Sequence, residues 1–357
     1  MLIRKIFIIV PSAIDASPIK GAAALANALS KHMSVTFITL KHCDKDFDLL
    51  NDRVCWISLE KYNWFTKLKE LRNLLTLSGD RSSVATISSC FSADFMNSLC
   101  VDYVAITCSS VRGNLPVVYS NNYGFMGRWL AYFHLKRLKK INQVVSMTVD
   151  MSNQVCKYIN KESPIIGNFI DESSLAVYRQ KQLNKGTYRL IFSGSLIYGK
   201  QPLILIDTIA SLDKSGMNVR LDVFGDGVLL KTLKKRALEL GVNDNVIFHG
   251  YVKNIYNYIA RSDVLVLPSL SEGISRSALE ALYLGIPCVL RNIDGSSELI
   301  KQGVNGYLFQ NNFELENSII SAVELSRNNS NRKNLLPKKY RQRNAVKEYL
   351  NLLELDA

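Results

Sequence analysis

The sequence predicts an α/β protein built from two doubly wound parallel-sheet domains. Three observations carry this reading. The chain has 357 residues, beyond the size at which a single core usually stops growing. Short β-rich apolar runs alternate with helical stretches in both halves. A polar, irregular stretch at 161–185 separates the two series. A hydrophobic content of 47% and a charged content of 21% are those of a globular chain and exclude a disordered one.

The first series opens with a β-rich run from Lys5 to Val10 and a loop from Ser12 to Lys20. An Ala/Leu helix from Gly21 to Lys31 and a β-branched run from Val35 to Leu40 follow. That is a βαβ opening, which implies a parallel sheet covered by helices. Trp64 to Leu77 reads as a helix, and Tyr103 to Thr107 and Pro116 to Tyr119 as short strands. A basic helix from Gly127 to Lys140, a strand at Val144-Val145 and a helix from Ser152 to Ile159 complete this half.

The second series is clearer. Strands at 190–192, 219–224, 246–248, 264–267 and 288–290 are separated by helices near 201–213, 228–240, 254–260 and 276–284. Tyr349, Leu350, Leu352, Leu353 and Leu355 space a final helix in the tail. The expected domains are therefore 1–165 and 166–335, with 336–357 returning as a helix to the first.

Several classes drop out on composition. The longest apolar runs, such as Ile6 to Val10, and buried ones such as Val264 to Leu267 fall far short of the ~20 residues that span a bilayer. Arg4 and Lys5 precede only five apolar residues before Pro11, too few for a secretory core of ~7–15. Seven scattered cysteines without a C-x-x-C pair suggest neither a zinc site nor a disulfide framework, and a reducing cytoplasm as the setting. A net charge of +13 calls for an anionic partner: nucleic acid, a membrane surface or a phosphorylated substrate.

Open parallel sheets bind ligands beyond the carboxyl ends of their strands, and the densest chemistry lies at such an end. The buried run Val264 to Leu267 stops at Pro268, a loop carries Glu272-Gly273, and a helix begins at about Ser275. Glu272 thus sits beside a helix start and Glu280 within the helix. Gly273 permits close backbone approach, the N–H groups of Ile274 and Ser275 form an anion site, and Arg276 stands in the first turn. Carboxylates accept from vicinal hydroxyl pairs, on a sugar or a ribose. By spacing alone, two glutamates eight apart are equally a loop charge and an ordinary helix residue.

The run from Glu272 to Glu280 resembles the E-x7-E motif of the retaining family-4 glycosyltransferases, which have the GT-B fold of two Rossmann-like domains facing a cleft. Ala260-Arg261-Ser262-Asp263, Gly285-Ile286-Pro287, Glu298-Leu299-Ile300 and Gly303-Val304-Asn305-Gly306-Tyr307-Leu308 resemble that family too. So do Phe224-Gly225-Asp226-Gly227 and Phe248-His249-Gly250; the match is dense from about 189 to 310. The resemblance implies that Glu272 contacts the donor sugar and Glu280 the nucleotide ribose.

In Phe192-Ser193-Gly194-Ser195-Leu196-Ile197-Tyr198-Gly199-Lys200 the family usually shows Gly-Arg, then a Lys five residues on, both gripping the diphosphate. Here Gly194 and Lys200 are kept and Ser195 replaces the Arg. Lys200 must then work with helix amides or another base, such as Arg276 or Arg291. Gly21-Ala22-Ala23 resembles the family's Gly-Gly turn near acceptor and donor phosphate, with Ala22 in place of one glycine. Asn168-Phe169-Ile170-Asp171 resembles the segment that enters the second domain.

The implied enzyme moves a hexosyl or N-acetylhexosaminyl group, with retention, from a nucleotide sugar to a glycan or polyprenyl-linked saccharide in O-antigen-like or capsule-like synthesis. UDP is favoured as the nucleotide, GDP second. No metal or other cofactor is expected, the nucleotide sugar being a co-substrate. Lys200 and the helix start at Ile274-Ser275 would stabilise the leaving diphosphate, which itself takes the acceptor proton, while closure excludes water. No histidine or aspartate occupies the family's usual place in the first domain: His134 lies in the basic helix, Asp94 near a loop, Tyr119 to Asn122 at an expected strand end.

Rival readings are weaker on the residues. A GT-B-like epimerase needs its own acid and base, and a phosphorylase a cofactor lysine; neither shows. A nucleic-acid-binding protein would interleave stacking aromatics with Lys and Arg, whereas here glycines and acids stand at strand ends, so no nucleic acid is expected. Asp44-Lys45-Asp46 contains D-x-D, a pattern too short to carry a metal site. Gly225-Asp226-Gly227 lacks the third glycine of a dinucleotide fingerprint.

The basic helix supplies the last expectation. Trp129, Leu130, Phe133 and Leu138 bury one side in the domain, bordered by Arg128, Lys136, Arg137, Lys139 and Lys140. Such a helix lies against anionic headgroups and places the enzyme peripherally on the inner face of the cell membrane.

Overall fold

The computed structural model describes residues 3–44, 47–180 and 186–355. Lys45 and Asp46 of the D-x-D pattern and residues 181–185 of the expected linker lie outside them. The chain divides into two units, Met1–Ile170 with Lys339–Ala357, and Asp171–Lys338.

The first unit holds a six-stranded sheet of β1 (Lys5–Val10), β2 (Ser34–Thr39), β3 (Val54–Ser58), β4 (Val84–Ser88), β5 (Ile106–Val111) and β6 (Gln143–Ser146). Its order is β3-β2-β1-β4-β5-β6, with every neighbouring pair parallel. The helices are α1 (Ser17–Leu29), α2 (Trp64–Thr76), α3 (Phe91–Asn97), α4 (Leu115–Tyr123), α5 (Phe125–Leu138) and α6 (Val149–Ile159).

The second unit repeats the plan with β7 (Tyr188–Ser193), β8 (Val219–Phe224), β9 (Val246–Gly250), β10 (Val264–Leu267), β11 (Cys288–Arg291) and β12 (Gly306–Phe309). Their order is β12-β11-β10-β7-β8-β9. The helices are α7 (Glu172–Ala176), α8 (Leu203–Lys214), α9 (Leu230–Glu239), α10 (Tyr256–Arg261), α11 (Arg276–Tyr283), α12 (Asp294–Leu299) and α13 (Asn312–Asn328). The last helix, α14 (Gln342–Leu355), belongs to the first unit.

β1 shows why the first sheet is covered on both faces. Side chains alternate along a strand, so Ile6, Ile8 and Val10 meet Leu25 and Leu29 of α1 and Val346, Tyr349 and Leu353 of α14. Phe7 and Ile9 meet Leu71 and Leu75 of α2 and Met96 of α3 on the other side. All five β1 residues are essentially inaccessible to solvent, as expected of a strand inside a parallel sheet.

Three local expectations fail. Pro116 to Tyr119 is not a strand but the first half of α4: the Asn114 side chain caps that helix by accepting from Val117 N at 3.3 Å, and Pro116 is tolerated in the first turn. The strand expected at Tyr103 begins at Ile106, after a short 3-10 turn at Val101–Tyr103. The helix expected to open at Gly21 begins at Ser17, with Pro18 in its first turn.

The face of α5 is also different from that expected. Leu138 is buried, but Trp129 is 60% and Phe133 55% exposed. The inward face is Gly127, Ala131, His134, Leu135 and Leu138. His134 fixes that rotation: its Nε2 lies 2.8 Å from Asp94 Oδ2 and its Nδ1 3.1 Å from the Tyr119 hydroxyl. A Cβ on Gly127 would fall 2.1 Å from the Tyr119 carbonyl oxygen, so glycine lets α4 and α5 cross closely. Asp94 also accepts from the Ser88 and Ser109 hydroxyls, both at 2.7 Å. Asp94, His134 and Tyr119 therefore form a packed network that ties α5 to the sheet.

Candidate functional site

Each sheet has one place where the chain order reverses, and there the loops diverge and leave a crevice at the strands' carboxyl ends. In the second sheet that place lies between β7 and β10. Lys200 follows β7, Glu272 follows β10, and the structure brings them together as an ion pair, although 72 residues separate them.

The two loops are bound to each other by backbone as well. Leu270 N donates to Gly199 O at 2.9 Å, and the Ser269 hydroxyl donates to Glu272 Oε1 at 3.0 Å. Glu272 and Lys200 keep 20% and 26% of their side-chain surface exposed. They are held yet reachable by a ligand.

The E-x7-E spacing is resolved by the helix. Ser275 caps α11, its hydroxyl accepting from Ala278 N at 3.4 Å, which ends the loop just after Gly273 and Ile274. The Ile274 side chain turns into the core. Glu280 is the fifth residue of the helix and accepts from Arg276 Nε at 3.0 Å. These side chains are only 8% and 11% exposed, and Arg276 Nη1 is buried with no hydrogen-bond partner among the described residues. The (i, i+4) spacing of one helical turn is what aligns the pair.

Glycines set the distances between these loops. Gly225 has a φ of 125°, and a Cβ there would meet Gly194 O at 2.0 Å. Gly194 N in turn donates to Phe224 O at 3.0 Å, so the β7 and β8 ends are zipped backbone to backbone. Gly225 thus answers to this contact rather than to a dinucleotide. Gly295, at the start of α12, lies against the Glu272 loop: a Cβ there would fall 1.8 Å from Gly273 O.

Ser195 is exposed and supplies no cation. Of the two candidates for one, Arg291 is occupied elsewhere. Its Nε donates to Pro268 O at 3.0 Å and its Nη1 to Gln310 O at 2.9 Å, stitching the ends of β10 and β12 together. Arg276, beside Glu280, is the cation at the helix start.

In the first unit, Gly21 and Ala22 are buried inside α1 and do not form the loop the sequence suggested. A Cβ on Gly21 would lie 2.1 Å from Arg112 Nη1. The glycine makes room for the guanidinium that follows β5, which also approaches Asn168 Oδ1 at 3.4 Å. Ser269 and Gly295 were not visible as site residues in the sequence, since one acts by a side-chain bond to Glu272 and the other by close approach to the backbone of a separate loop. His249 is a packing residue, 2.7 Å from Asp222 Oδ1 and stacked on Phe224.

Residues 176–342 match the sequence model of the family described as glycosyl transferases group 1. The chain is 31% identical over 196 residues to the O-antigen biosynthesis glycosyltransferase WbnH of Escherichia coli, covering 51% of this chain and 54% of that protein. It is 25% identical over 342 residues to a GalNAc-alpha-(1->4)-GalNAc-alpha-(1->3)-diNAcBac-PP-undecaprenol alpha-1,4-N-acetyl-D-galactosaminyltransferase of Campylobacter jejuni, covering 91% and 89%. Several curated relatives are matched over only 32%, 24% and 54% of their own length. Among solved structures, Anabaena Alr3699/HepE in complex with UDP superposes with a TM-score of 0.77 at 14% identity, covering 98% of this chain and 100% of that one. The fold is that of the GT-B glycosyltransferases.

Proposed function

We propose that this chain is a retaining glycosyltransferase that moves a hexosyl or N-acetylhexosaminyl group from a UDP-sugar to a polyprenyl-linked saccharide, in the synthesis of a bacterial surface polysaccharide. The observation that carries the reading is the pair of carboxylate–cation couples at the β7–β10 reversal, Glu272 with Lys200 and Glu280 with Arg276. The family match over 176–342, the UDP named in the HepE structure and the undecaprenol-linked substrate named for the Campylobacter relative support it.

Glu280 accepts from the ribose hydroxyls and Glu272 from the donor sugar. Lys200 faces the diphosphate, and the Arg276 Nη1 hydrogens supply the charge that Ser195 lacks, assisted by the N–H groups at the start of α11. Transfer forms a bond between an acceptor hydroxyl oxygen and the anomeric carbon on the face from which the bond to the diphosphate breaks. The leaving oxygen takes the acceptor proton. Negative charge grows on that oxygen in the transition state, so fixed cations act more on the barrier than on ground-state binding.

The acceptor lipid places the reaction at a membrane surface, with this chain as a peripheral component. No described helix is long and apolar enough to cross a membrane. The test is to incubate the full chain with UDP- and GDP-sugars and polyprenyl-diphosphate-linked saccharides, and to analyse products by mass spectrometry and NMR. A UDP-sugar should yield a product that keeps the donor's anomeric configuration. An inverted linkage would overturn retention, and the absence of transfer from every sugar nucleotide would overturn the reading.

A further inference from the structure

α4 and α5 cross closely, and α5 is apolar on both sides. Its inward face packs on the sheet as described. On the opposite side Phe125, Met126, Trp129, Tyr132 and Phe133 are each at least 50% exposed. Positions 125, 129, 132 and 133 follow the i, i+4, i+7, i+8 spacing of one helical stripe, and Tyr123, 57% exposed, extends it across the Gly124 junction. A contiguous apolar patch of this kind is rare on a soluble surface without a partner.

Charge says which partner. From Tyr103 to Val149 the sequence contains no Asp or Glu, but it contains Arg112, Arg128, Lys136, Arg137, Lys139 and Lys140. Arg137 is held over the Phe95 ring, while Arg128, Lys136, Lys139 and Lys140 are exposed. The aromatic residues occupy the first turns of α5, and the lysines continue the exposed side at its end. A second copy of this chain would set these cations against their own kind. An anionic bilayer fits both parts, with aromatic rings at the boundary of the acyl chains and ammonium groups among the lipid phosphates.

We propose that the α4–α5 hairpin is a membrane-insertion surface: Phe125, Met126, Trp129, Tyr132 and Phe133 enter the interfacial layer, and Arg128, Lys136, Lys139 and Lys140 select anionic lipid. This deepens the reading above and rests on it only for the claim that the acceptor is membrane-borne. It replaces the purely electrostatic contact that the basic helix suggested in the sequence.

The experiment is vesicle co-sedimentation of the full chain with phosphatidylcholine alone and with phosphatidylglycerol as the minority lipid. Wild type should pellet with the mixed vesicles at low salt. Trp129→Ser/Phe133→Ser should weaken partitioning roughly ten-fold or more, since two large apolar side chains no longer leave water. Lys136→Gln/Lys139→Gln/Lys140→Gln should abolish the preference for anionic lipid. Both variants change exposed residues outside the donor site, so their UDP-induced thermal shift should equal that of wild type. A wild type that binds vesicles but no sugar nucleotide would sink the enzyme reading and leave this one standing.

A second measurement needs no change in the patch. In a Trp56→Phe/Trp64→Phe background, Trp129 fluorescence should be quenched by lipids brominated on their acyl chains. The proposal is overturned by wild type remaining in the supernatant with mixed vesicles at low salt. It is overturned equally by unquenched Trp129, or by a concentration-dependent dimer that the Trp129/Phe133 variant dissolves.

Discussion

Arg276 and Glu280 stand one helical turn apart on α11, with the arginine Nε 3.0 Å from the glutamate Oε1 and both side chains close to fully buried. A pair this buried is weak as a device for stability, because each ion gives up its hydration. Its value lies in what it presents: a carboxylate already oriented, and a guanidinium with Nη1 left over.

Glu280→Gln should weaken UDP binding. A hydrogen bond to a charged acceptor is worth ~1.5–3 kcal/mol, so the Kd should rise roughly ten-fold or more. Isothermal titration of the variant with UDP decides it; an unchanged Kd would remove the ribose assignment.

Lys200→Ala should depress kcat more than it raises KM, by a factor on the order of 10² to 10³, as when a donor aimed at developing negative charge is removed. Lys200→Arg should recover part of the loss. A raised KM with kcat intact would instead make Lys200 a ground-state binding residue.

Gly295→Ala places a methyl where Gly273 O now lies, 1.8 Å from the ideal Cβ position. The nearest atoms, in Gly273 and Ile274, are all backbone, so the backbone must give. Stability should fall by about 1–3 kcal/mol, and donor affinity should fall with it because the displaced loop carries Glu272. Gly186→Ala, with open space around it, is the control and should stay within about 0.5 kcal/mol. Equal melting and equal UDP affinity for both variants would refute the link between α12 and the Glu272 loop.

Brief alkylation near neutral pH should separate five of the seven cysteines into two groups. Cys55 and Cys156 are exposed and should react. Burial pushes the Cys90 thiol up to about 11 and the Cys100 and Cys108 thiols up to about 12, so almost no thiolate forms there. These three should be modified only after unfolding. Peptide mapping that finds native Cys108 alkylated as fast as Cys55 would contradict the packing of β5.

The second unit was legible because apolar residues dominate most of its strands, as in β10 and β11. Val264 to Leu267 is buried throughout and contains nothing that could be mistaken for a loop. The first unit hid β4 and displaced the expected bounds of β5 because both carry hydroxyl residues. Thr86 and Ser88 are fully buried, but their polar atoms are satisfied by Asn97 and Asp94 at 2.6 and 2.7 Å, partners on a helix that the sequence did not announce. Pro116 to Tyr119 misled in the opposite way: its β-branched valines suggest a strand, and the Asn114 cap overrides them.

The sequence by itself determined the fold class, the two series of elements and the positions of Glu272, Glu280, Gly194 and Lys200, because these depend on local periodicity and on spacing along the chain. Only the tertiary structure decided which residues meet. It paired Lys200 with Glu272 across two loops, engaged Arg291 with carbonyl oxygens while Arg276 pairs with Glu280, and turned Trp129 and Phe133 outward. The physical reason is common to all three. Each outcome is fixed by a contact between residues distant in the chain, such as the His134–Asp94 bond that sets the rotation of α5, and pattern along one segment carries no record of what will pack against it.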